Sequence, residues 1–502
     1  MAITVSLLLF GSWSGSLSAR EDGHPDVLMI AVDDLRPMLS CYGDPRIQTP
    51  NIDRLAKRSV VFDRAYCQYA KCGPSRLSLM TGLRPDAVGV FDHRKGTIEA
   101  FRKRRPDAVT LARHFKDGGY VTRGFGKIMH DGWDSDSDWS EKPDPGREQE
   151  ILEIASDNGP SIIADRHDCP VIQSPDVEDD YFFAGRMTTS VLQTLRDHDD
   201  SKPLFLVMGY RRPHLPFVAP KKYFDQVKPD RSWLPAHPLP PENSPIMAWF
   251  NSDGYGGAMK RVGVKMPSEQ DRQGALEVNG YELRSYVGAT NQGMMSEEEQ
   301  LRLLHAYVAC VLYVDAQIGL LLDDLEKRDR LDDTVILFWA DHGWHLGDKA
   351  AWSKMTNFET ATRVPMMISA PGIRPGRTQA ISELVDLYPT LCDLVNLPMP
   401  THLQGHSLVS ILKKPETKGG IALSQHQRFK KYMGRALRND RYRYVAWFRE
   451  KDGVIVEREL YDHQLDPDEN VNLAAEAGHQ KTVRRLEARL LEAFELNNGG
   501  AR

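Results

Sequence analysis

The residues with the most chemical reach stand at the ends of two short apolar runs. Residues 26–32 (DVLMIAV) lead into Asp33 and Asp34, and residues 334–340 (TVILFWA) lead into Asp341 and His342. Each run reads as a buried strand, since a continuous apolar stretch has no polar face to give to solvent. If both strands end at one sheet edge, three carboxylates and an imidazole gather where open α/β sheets bind ligands. Carboxylates crowded in this way repel one another, and a divalent cation is the usual remedy. Oxygen-rich ligation favours calcium or magnesium, calcium taking about six to eight oxygens, while the imidazole leaves manganese or zinc open. Taken alone, Asp33-Asp34 would more often cap a turn. Cys72 adds a further chemical group: it stands just before Pro74, and proline suits the first turn of a helix, predicted here over 74–81. A thiol at a helix N-terminus meets the positive end of the backbone dipole, which lowers its pKa and makes it a candidate nucleophile.

These groups need a scaffold to bring them together. The chain has 502 residues, 41% hydrophobic and 27% charged, enough for one large catalytic domain and a smaller companion. Helices are predicted over 51–59, with Asn51 as N-cap, over 108–117 and over 179–196. Ser296 starts a further helix that runs to about residue 325, with Glu299 placed to complete a capping box. Strands are predicted over 60–65, 120–126 and 204–208. The alternation predicts an α/β fold, a large mixed and mostly parallel sheet sandwiched by helices. Residues 131–160, 211–245 and 254–293 are rich in polar residues, proline or glycine and read as long loops, of the kind that shape pockets. Beyond residue 415 the texture turns β-rich. Residues 432–448 and 454–461 alternate, Lys451-Asp452-Gly453 between them is a hairpin signal, and a final helix is predicted over 480–496. The resulting division is a leader over 1–19, a catalytic domain over 20–415, and a smaller C-terminal subdomain with an antiparallel sheet over 416–502.

Composition removes several function classes. The net charge of −6 is small and no terminus is strongly acidic or basic, so nothing points to nucleic acid or to an anionic membrane surface. An anionic substrate must then be met by a local cluster of cations. The six cysteines, at 41, 67, 72, 169, 310 and 392, form no CxxC pair, which argues against a zinc knuckle. Cys310 and Cys392 lie on helical patterns and read as buried thiols, and Cys41 and Cys67 could pair in an oxidising compartment. An apolar run over 3–10, followed by small residues through Ala19, resembles a signal peptide without its basic start. Export to a periplasm, a lysosome or the medium is expected. The run is too short to span a bilayer, and no later stretch is expected to approach about twenty apolar residues. Oligomeric state is not legible.

The segment Cys72-Gly73-Pro74-Ser75-Arg76, continued by Thr81-Gly82-Leu83-Arg84-Pro85, resembles the C-x-P-S-R and T-G-x-x-P signature of the sulfatase family, within the alkaline-phosphatase superfamily. The likeness continues along the chain in Gly126-Lys127-Ile128-Met129-His130, Arg212-Pro213-His214-Leu215-Pro216-Phe217, Asp341-His342-Gly343-Trp344-His345-Leu346-Gly347 with Lys354, and Glu459-Leu460-Tyr461-Asp462. His342 replaces the commoner asparagine. With Trp344 and the Pro-His-Leu-Pro-Phe block, it is most similar to the iduronate-2-sulfatase branch.

The resemblance implies a mechanism. Cys72 is oxidised to formylglycine by a formylglycine-generating enzyme, and its hydrate supplies two hydroxyls on one carbon. One Ca2+, or another divalent metal, is held by Asp33, Asp34, Asp341, His342 and residue 72. Arg76 and Lys127 hold the diol, while Lys354 and His214 hold the sulfate and the leaving oxygen. A protonated His214 is the general acid and His130 takes the proton of the second hydroxyl.

The implied substrate is a sulfated oligosaccharide or polysaccharide, with a terminal 2-O-sulfated uronic acid cut in exo fashion. Lysosomal members tend to carry a carboxylate-binding arginine after the signature. Here Gly89 stands in its place, with Arg94 or Lys95 as substitutes, so algal sulfated glycans fit as well as heparan or dermatan sulfate. His345 is a candidate substrate contact, and Asp44 and Asp86 read as turn-fixing residues. Two readings compete: a phosphonate or phosphate ester hydrolase of the same superfamily, and a sulfated-glycan-binding protein with an unmodified Cys72 and no turnover. Mass spectrometry of the peptide spanning Cys72 separates the last. An aldehyde of lower mass than the thiol is expected, and a thiol intact throughout the preparation would contradict the resemblance.

Overall fold

The computed structural model describes residues 24–144, 153–156, 159–163 and 165–495; the leader expected over 1–19 lies outside the described residues. The central sheet is built from β1 (Asp26–Val32), β2 (Val60–Tyr66), β3 (Val121–Gly126), β4 (Leu204–Tyr210), β5 (Thr334–Ala340), β6 (Arg363–Ser369), β7 (Gly376–Glu383) and β8 (Lys418–Gly419). Their order is β8-β7-β2-β6-β5-β1-β4-β3. Only β6 runs against its neighbours. Every residue of β4 and β5 is buried, which is why both read as unbroken apolar runs. The register pairs Val32 at the end of β1 with Tyr210 of β4 and Ala340 of β5. The acidic residues that follow β1 and β5 therefore emerge side by side at one edge.

Helices cover the sheet in two groups. In the first, α1 (Pro50–Ala56) and α4 (Phe183–Asp197) pack on α5 (Glu297–Lys327). In the second, α2 (Cys72–Thr81) packs with α3 (Leu111–Asp117) and α6 (Leu387–Leu394). A second, four-stranded antiparallel sheet follows: β9 (Ala422–Arg428), β10 (Tyr432–Arg438), β11 (Tyr442–Arg449) and β12 (Ile455–Asp462), in that order. The helix α7 (Gln480–Ala493) lies on it, burying Leu486 and Leu490 against Leu437, Tyr444 and Leu460.

Several expectations change on contact with the structure. Thr49, not Asn51, is the N-cap of α1; the Asn51 backbone N–H and carboxamide donate to Asp315 on α5, at 3.1 and 3.0 Å. Ser296 Oγ caps α5 by accepting the Glu299 N–H at 3.1 Å, yet the Glu299 carboxylate leaves the capping box to take Thr290 N at 2.7 Å and Thr290 Oγ1 at 2.6 Å. The stretch 254–293 contains helices at Gly256–Arg261, Arg272–Val278 and Tyr281–Arg284. The β-rich stretch 432–448 is two strands, broken where the Asn439 side chain accepts the N–H groups of Arg441 and Tyr442 at 3.0 and 2.8 Å. The strands β6, β7 and β9 had no expectation at all.

Among the described residues one helix, α5, is long and apolar enough to cross a membrane by length and composition, contrary to the expectation from apolar runs. Its apolar window is 83% buried inside the fold, so it is a core helix here. All six cysteines are free, and Cys41 and Cys67 are not bonded to each other; Cys310 and Cys392 are buried thiols, as expected. Asp44 does fix a turn, accepting the Arg46 N–H at 3.0 Å. Asp86 instead ties the C-terminal sheet to the start of the catalytic region, accepting from Gln425 at 2.8 Å and Arg435 at 3.0 Å.

The edge that carries Asp34 is locked from α5. Asp34 sits in the left-handed region, at φ 63, which a non-glycine residue adopts only when its surroundings enforce it. The buried Tyr307 hydroxyl donates to the Asp34 carbonyl at 2.9 Å and accepts the Arg36 N–H at 3.1 Å. Tyr307→Phe is expected to cost about 1–3 kcal/mol in urea unfolding, since it orphans the buried Asp34 carbonyl and the part-buried Arg36 N–H. Unchanged stability would show that the turn holds itself.

Candidate metal centre and active site

Backbone hydrogen bonds clamp the two acidic strand ends and the start of α2 together. The Asp34 N–H donates to Asp341 Oδ1 at 3.2 Å, as does the His342 N–H at 3.0 Å. Ser75 Oγ donates to the Asp341 carbonyl at 2.6 Å. Helix α2 begins at Cys72 itself, with Lys71 at the N-cap. Cys72 Sγ thereby lies 3.3 Å from His342 Nε2 and 3.9 Å from Asp34 Oδ1. His342 Nε2 is 3.4 Å from Asp34 Oδ1 and 3.7 Å from Asp341 Oδ1.

Two overlapping sets have ligand atoms all within 4.8 Å of one another: Asp33, Cys72, Asp341 and His342, and Asp33, Asp34, Cys72 and His214. All these residues are buried. Asp33 Oδ1 has no hydrogen-bond partner, and the nearest guanidinium nitrogen, Arg76 Nη2, stands at 3.6 Å. A buried carboxylate oxygen left in that state is costly, and a cation is what it lacks. Three carboxylates and an imidazole around one point fit a divalent ion.

Three cationic side chains surround these carboxylates, each delivered by its own device. Arg76, one turn into α2, gives Nε to Asp341 Oδ2 at 2.8 Å and Nη1 to the Lys127 and Ile128 carbonyls. Lys127 leaves β3 through Gly126, whose φ of 68 and contact with the Gly209 carbonyl leave no space for a Cβ. The Lys127 N–H donates to that carbonyl at 2.8 Å, and Nζ reaches Asp33 Oδ2. Lys354 Nζ lies 3.0 Å from both Asp34 oxygens and 3.1 Å from Glu282 Oε1. Its turn is held by Asn251, which donates to the carbonyls of Trp352 at 3.0 Å and Lys354 at 2.7 Å. His214, just beyond β4, places Nδ1 2.7 Å from the Leu215 carbonyl. Its Nε2 faces Glu282 Oε1 at 3.5 Å and Asp34 Oδ2 at 3.9 Å.

The electrostatics revise two expectations. Burial, then Asp33, push the Cys72 thiol up to about 12 against the pull of Lys127 and Lys354. Desolvation among carboxylates thus opposes the helix-terminus effect expected to lower the thiol pKa. Burial and Lys354 hold His214 well below the usual histidine range. Burial, then Lys127, lower His130 to about 4. Burial drives Asp33 up, but Lys127, His214 and Arg76 together bring it well below the carboxylate range. Asp34 goes the other way: burial raises it, and Asp33 and Cys72 add to burial against Lys354.

Asp33, Asp34, Cys72, Arg76, Lys127, His214, Asp341, His342 and Lys354 thus converge. His130 is set off by one ring, its centroid 3.8 Å from that of His93. His93 Nε2 accepts the Gly73 N–H at 3.0 Å and so reaches the residue beside Cys72. His345, the candidate substrate contact, is fully buried, bonded to Thr356 Oγ1 at 2.9 Å and edge-on to Phe358. Arg94 and Lys95 are exposed, and Arg94 is paired with Asp92. Where a Cβ at Gly89 would lie, the Arg104 guanidinium already sits. Sequence reasoning missed His93, a lone histidine with no motif. It also missed Glu282, hidden in a stretch read as loop.

Residues 25–397 match the family Sulfatase, and residues 342–495 match the family N-sulphoglucosamine sulphohydrolase, C-terminal. The chain is 30% identical to iduronate 2-sulfatase of Mus musculus, over 94% of this chain and 96% of that protein. A solved structure in complex with D-glucosamine-2-N,6-O-disulfate shares the fold at a TM-score of 0.67 and 21% identity, covering 95% of this chain and 99% of the other. The phosphonate monoester hydrolase of Agrobacterium radiobacter does so at a TM-score of 0.69 and 22% identity, covering 93% and 95%.

A site of this kind couples ion binding to stability. Ion-stripped protein is expected to melt at a higher temperature when a divalent ion is added, by about 2.7 kcal/mol at a hundredfold excess over Kd. Asp341→Asn is expected to lose most of that gain. No response to calcium, magnesium, manganese or zinc would contradict the metal centre.

Proposed function

The chain belongs to the sulfatase family, and from that premise we propose that it removes sulfate from a sulfated carbohydrate, a terminal 2-O-sulfated uronic acid being the favoured unit. The observation that carries this reading is the convergence of residue 72 with Asp33, Asp34, Asp341 and His342 beneath three buried cations. The uronic acid rests on the likeness to iduronate 2-sulfatase. The phosphonate hydrolase likeness is one of fold alone, and the family match favours sulfate.

A calcium or other divalent ion held by Asp33, Asp34, Asp341, His342 and residue 72 would supply Lewis acidity, and a formylglycine made from Cys72 by a generating enzyme would supply the nucleophilic oxygen. The chain's own groups do the rest. Arg76, rigid in its bonds to Asp341 and two carbonyls, and Lys127, on Asp33, stand where they would orient the side chain at 72. Lys127 and Lys354 offset negative charge on the sulfate oxygens in a site closed to water. His130, neutral at working pH, accepts the proton released at residue 72. His214 commits Nδ1 to Leu215 and turns Nε2 to the pocket, the orientation a proton donor to the leaving oxygen needs. A bound anion raises the affinity of that imidazole for its proton.

Export, and a catalytic unit over 20–415 with a subdomain over 416–502, complete the reading. The apolar N-terminal run supports the first, and the separate core of the C-terminal sheet supports the second.

The formylglycine-bearing, metal-loaded protein is expected to release sulfate from a disaccharide ending in 2-O-sulfated uronate. Cys72→Ala is expected to abolish turnover, and Lys127→Ala to lower kcat by about 100-fold or more. Turnover retained by Cys72→Ala, or a preference for phosphate esters, would overturn the reading. Because His214 is held below its ordinary 6.5, its protonated form in the free enzyme is lost as pH rises through that lowered pKa. The falling limb of kcat/KM is therefore expected below pH 6.5 and absent in His214→Asn.

A further inference from the structure

Glu282 has no part in the reaction just described, and we propose that its carboxylate tunes the pocket to oxoanion esters carrying one negative charge, admitting sulfate monoesters and rejecting doubly charged phosphate monoesters. The proposal deepens the sulfate-ester reading above and rests on it. Glu282 is 6% exposed and sits on the short helix Tyr281–Arg284. One oxygen takes Lys354 Nζ at 3.1 Å and faces His214 Nε2 at 3.5 Å, and the other accepts the Ser353 hydroxyl. Lys354 does not need it as a partner, since both Asp34 oxygens already lie 3.0 Å away. A second buried carboxylate on that lysine therefore sets the charge of the pocket more than it holds the lysine.

The segment that carries Glu282 cannot drift off. The Tyr281 N–H donates to Ser252 Oγ at 2.9 Å, and the Gly280 N–H to Asn251 Oδ1 at 2.9 Å. Gly280 presses on Trp352 so closely, at φ 74, that a Cβ would meet it at 2.7 Å. The carboxylate is thereby fixed beside the two residues that face the bound ester.

Glu282 sets one negative charge beside Lys354 and His214, the two groups that face the ester. Arg166 and Lys71 also act on Glu282, so its effect is local and not a count over the whole pocket. A phosphate monoester above its second pKa of about 6 carries two negative charges, where a sulfate monoester carries one. In a buried site a fixed carboxylate at that distance repels the second charge strongly. Removing the Glu282 charge lowers that penalty for the dianion.

The test uses metal-loaded Cys72→Ala protein, which holds ester without turning it over, at pH 8. Titration calorimetry compares 4-nitrophenyl sulfate, a 4-nitrophenyl phosphodiester of one charge, and 4-nitrophenyl phosphate of two. The dianion is expected to bind at least about tenfold more weakly than either monoanion, and adding Glu282→Gln to narrow that gap by about tenfold or more. If Glu282→Gln weakens all three equally, or the dianion binds as well as the monoanions before any change at Glu282, the proposal is overturned. The second comparison needs no variant at 282, so it decides the matter even if that variant does not fold. Sulfate release by the formylglycine-bearing protein is scored separately. Its absence would sink the sulfatase reading, and an unselective pocket with intact sulfate release would sink only this inference.

Discussion

Three carboxylates share a space from which water is excluded. Asp33, Asp34 and Asp341 are all fully buried at the adjoining ends of two parallel strands. Burying like charges is among the costliest acts a fold performs. The surrounding architecture reads as the answer to that cost. Arg76 arrives on a helix whose first turn is clamped to the Asp341 carbonyl. Lys127 is dropped in by the close approach of two glycine-bearing strand ends. Lys354 comes from a turn whose carbonyls at Ala350, Trp352 and Lys354 are held by Asn251 and Asn279 of a helical insertion.

The same field decides the chemistry at position 72. In water a thiol at a helix start would be acidified. Among buried carboxylates it is pushed the other way, up to about 12, because desolvation and Asp33 outweigh the helix end and both lysines. The second sheet takes part in this as well. Arg428 of β9, fully buried, joins the Met355 carbonyl at 2.6 Å to Asp253 at 2.8 Å, and Asn357 donates to the Gly434 carbonyl at 3.1 Å. The C-terminal region thus closes the back of the Lys354 turn.

What the sequence made legible follows from what was local. The strands before Asp33 and Asp341 were readable because burial on both faces makes them apolar throughout, and the start of α2 because proline marks it. Other features were set by partners far along the chain. Asn51 looked like a cap, but Asp315, held on α5, claims its N–H. Glu299 looked like the second half of a capping box, but the Thr290 loop takes its carboxylate. Glu282 lay in glycine-rich sequence, on a short helix whose start is tied to Asn251 and to the Ala350 carbonyl through Gly280 and Asn279. The downward shift of His214 was beyond reach for the same reason, since it depends on burial by the fold and on the approach of Lys354 from more than a hundred residues away.

The central claim is that these buried carboxylates are built around one divalent ion in contact with residue 72. Anomalous scattering from crystals grown with manganese tests it most directly. The account predicts one strong peak within about 2.0–2.6 Å of oxygens from Asp33, Asp34 and Asp341, beside His342 and the side chain at 72. A cluster closed by lysine and arginine alone, with no peak there or with the ion elsewhere, would contradict it.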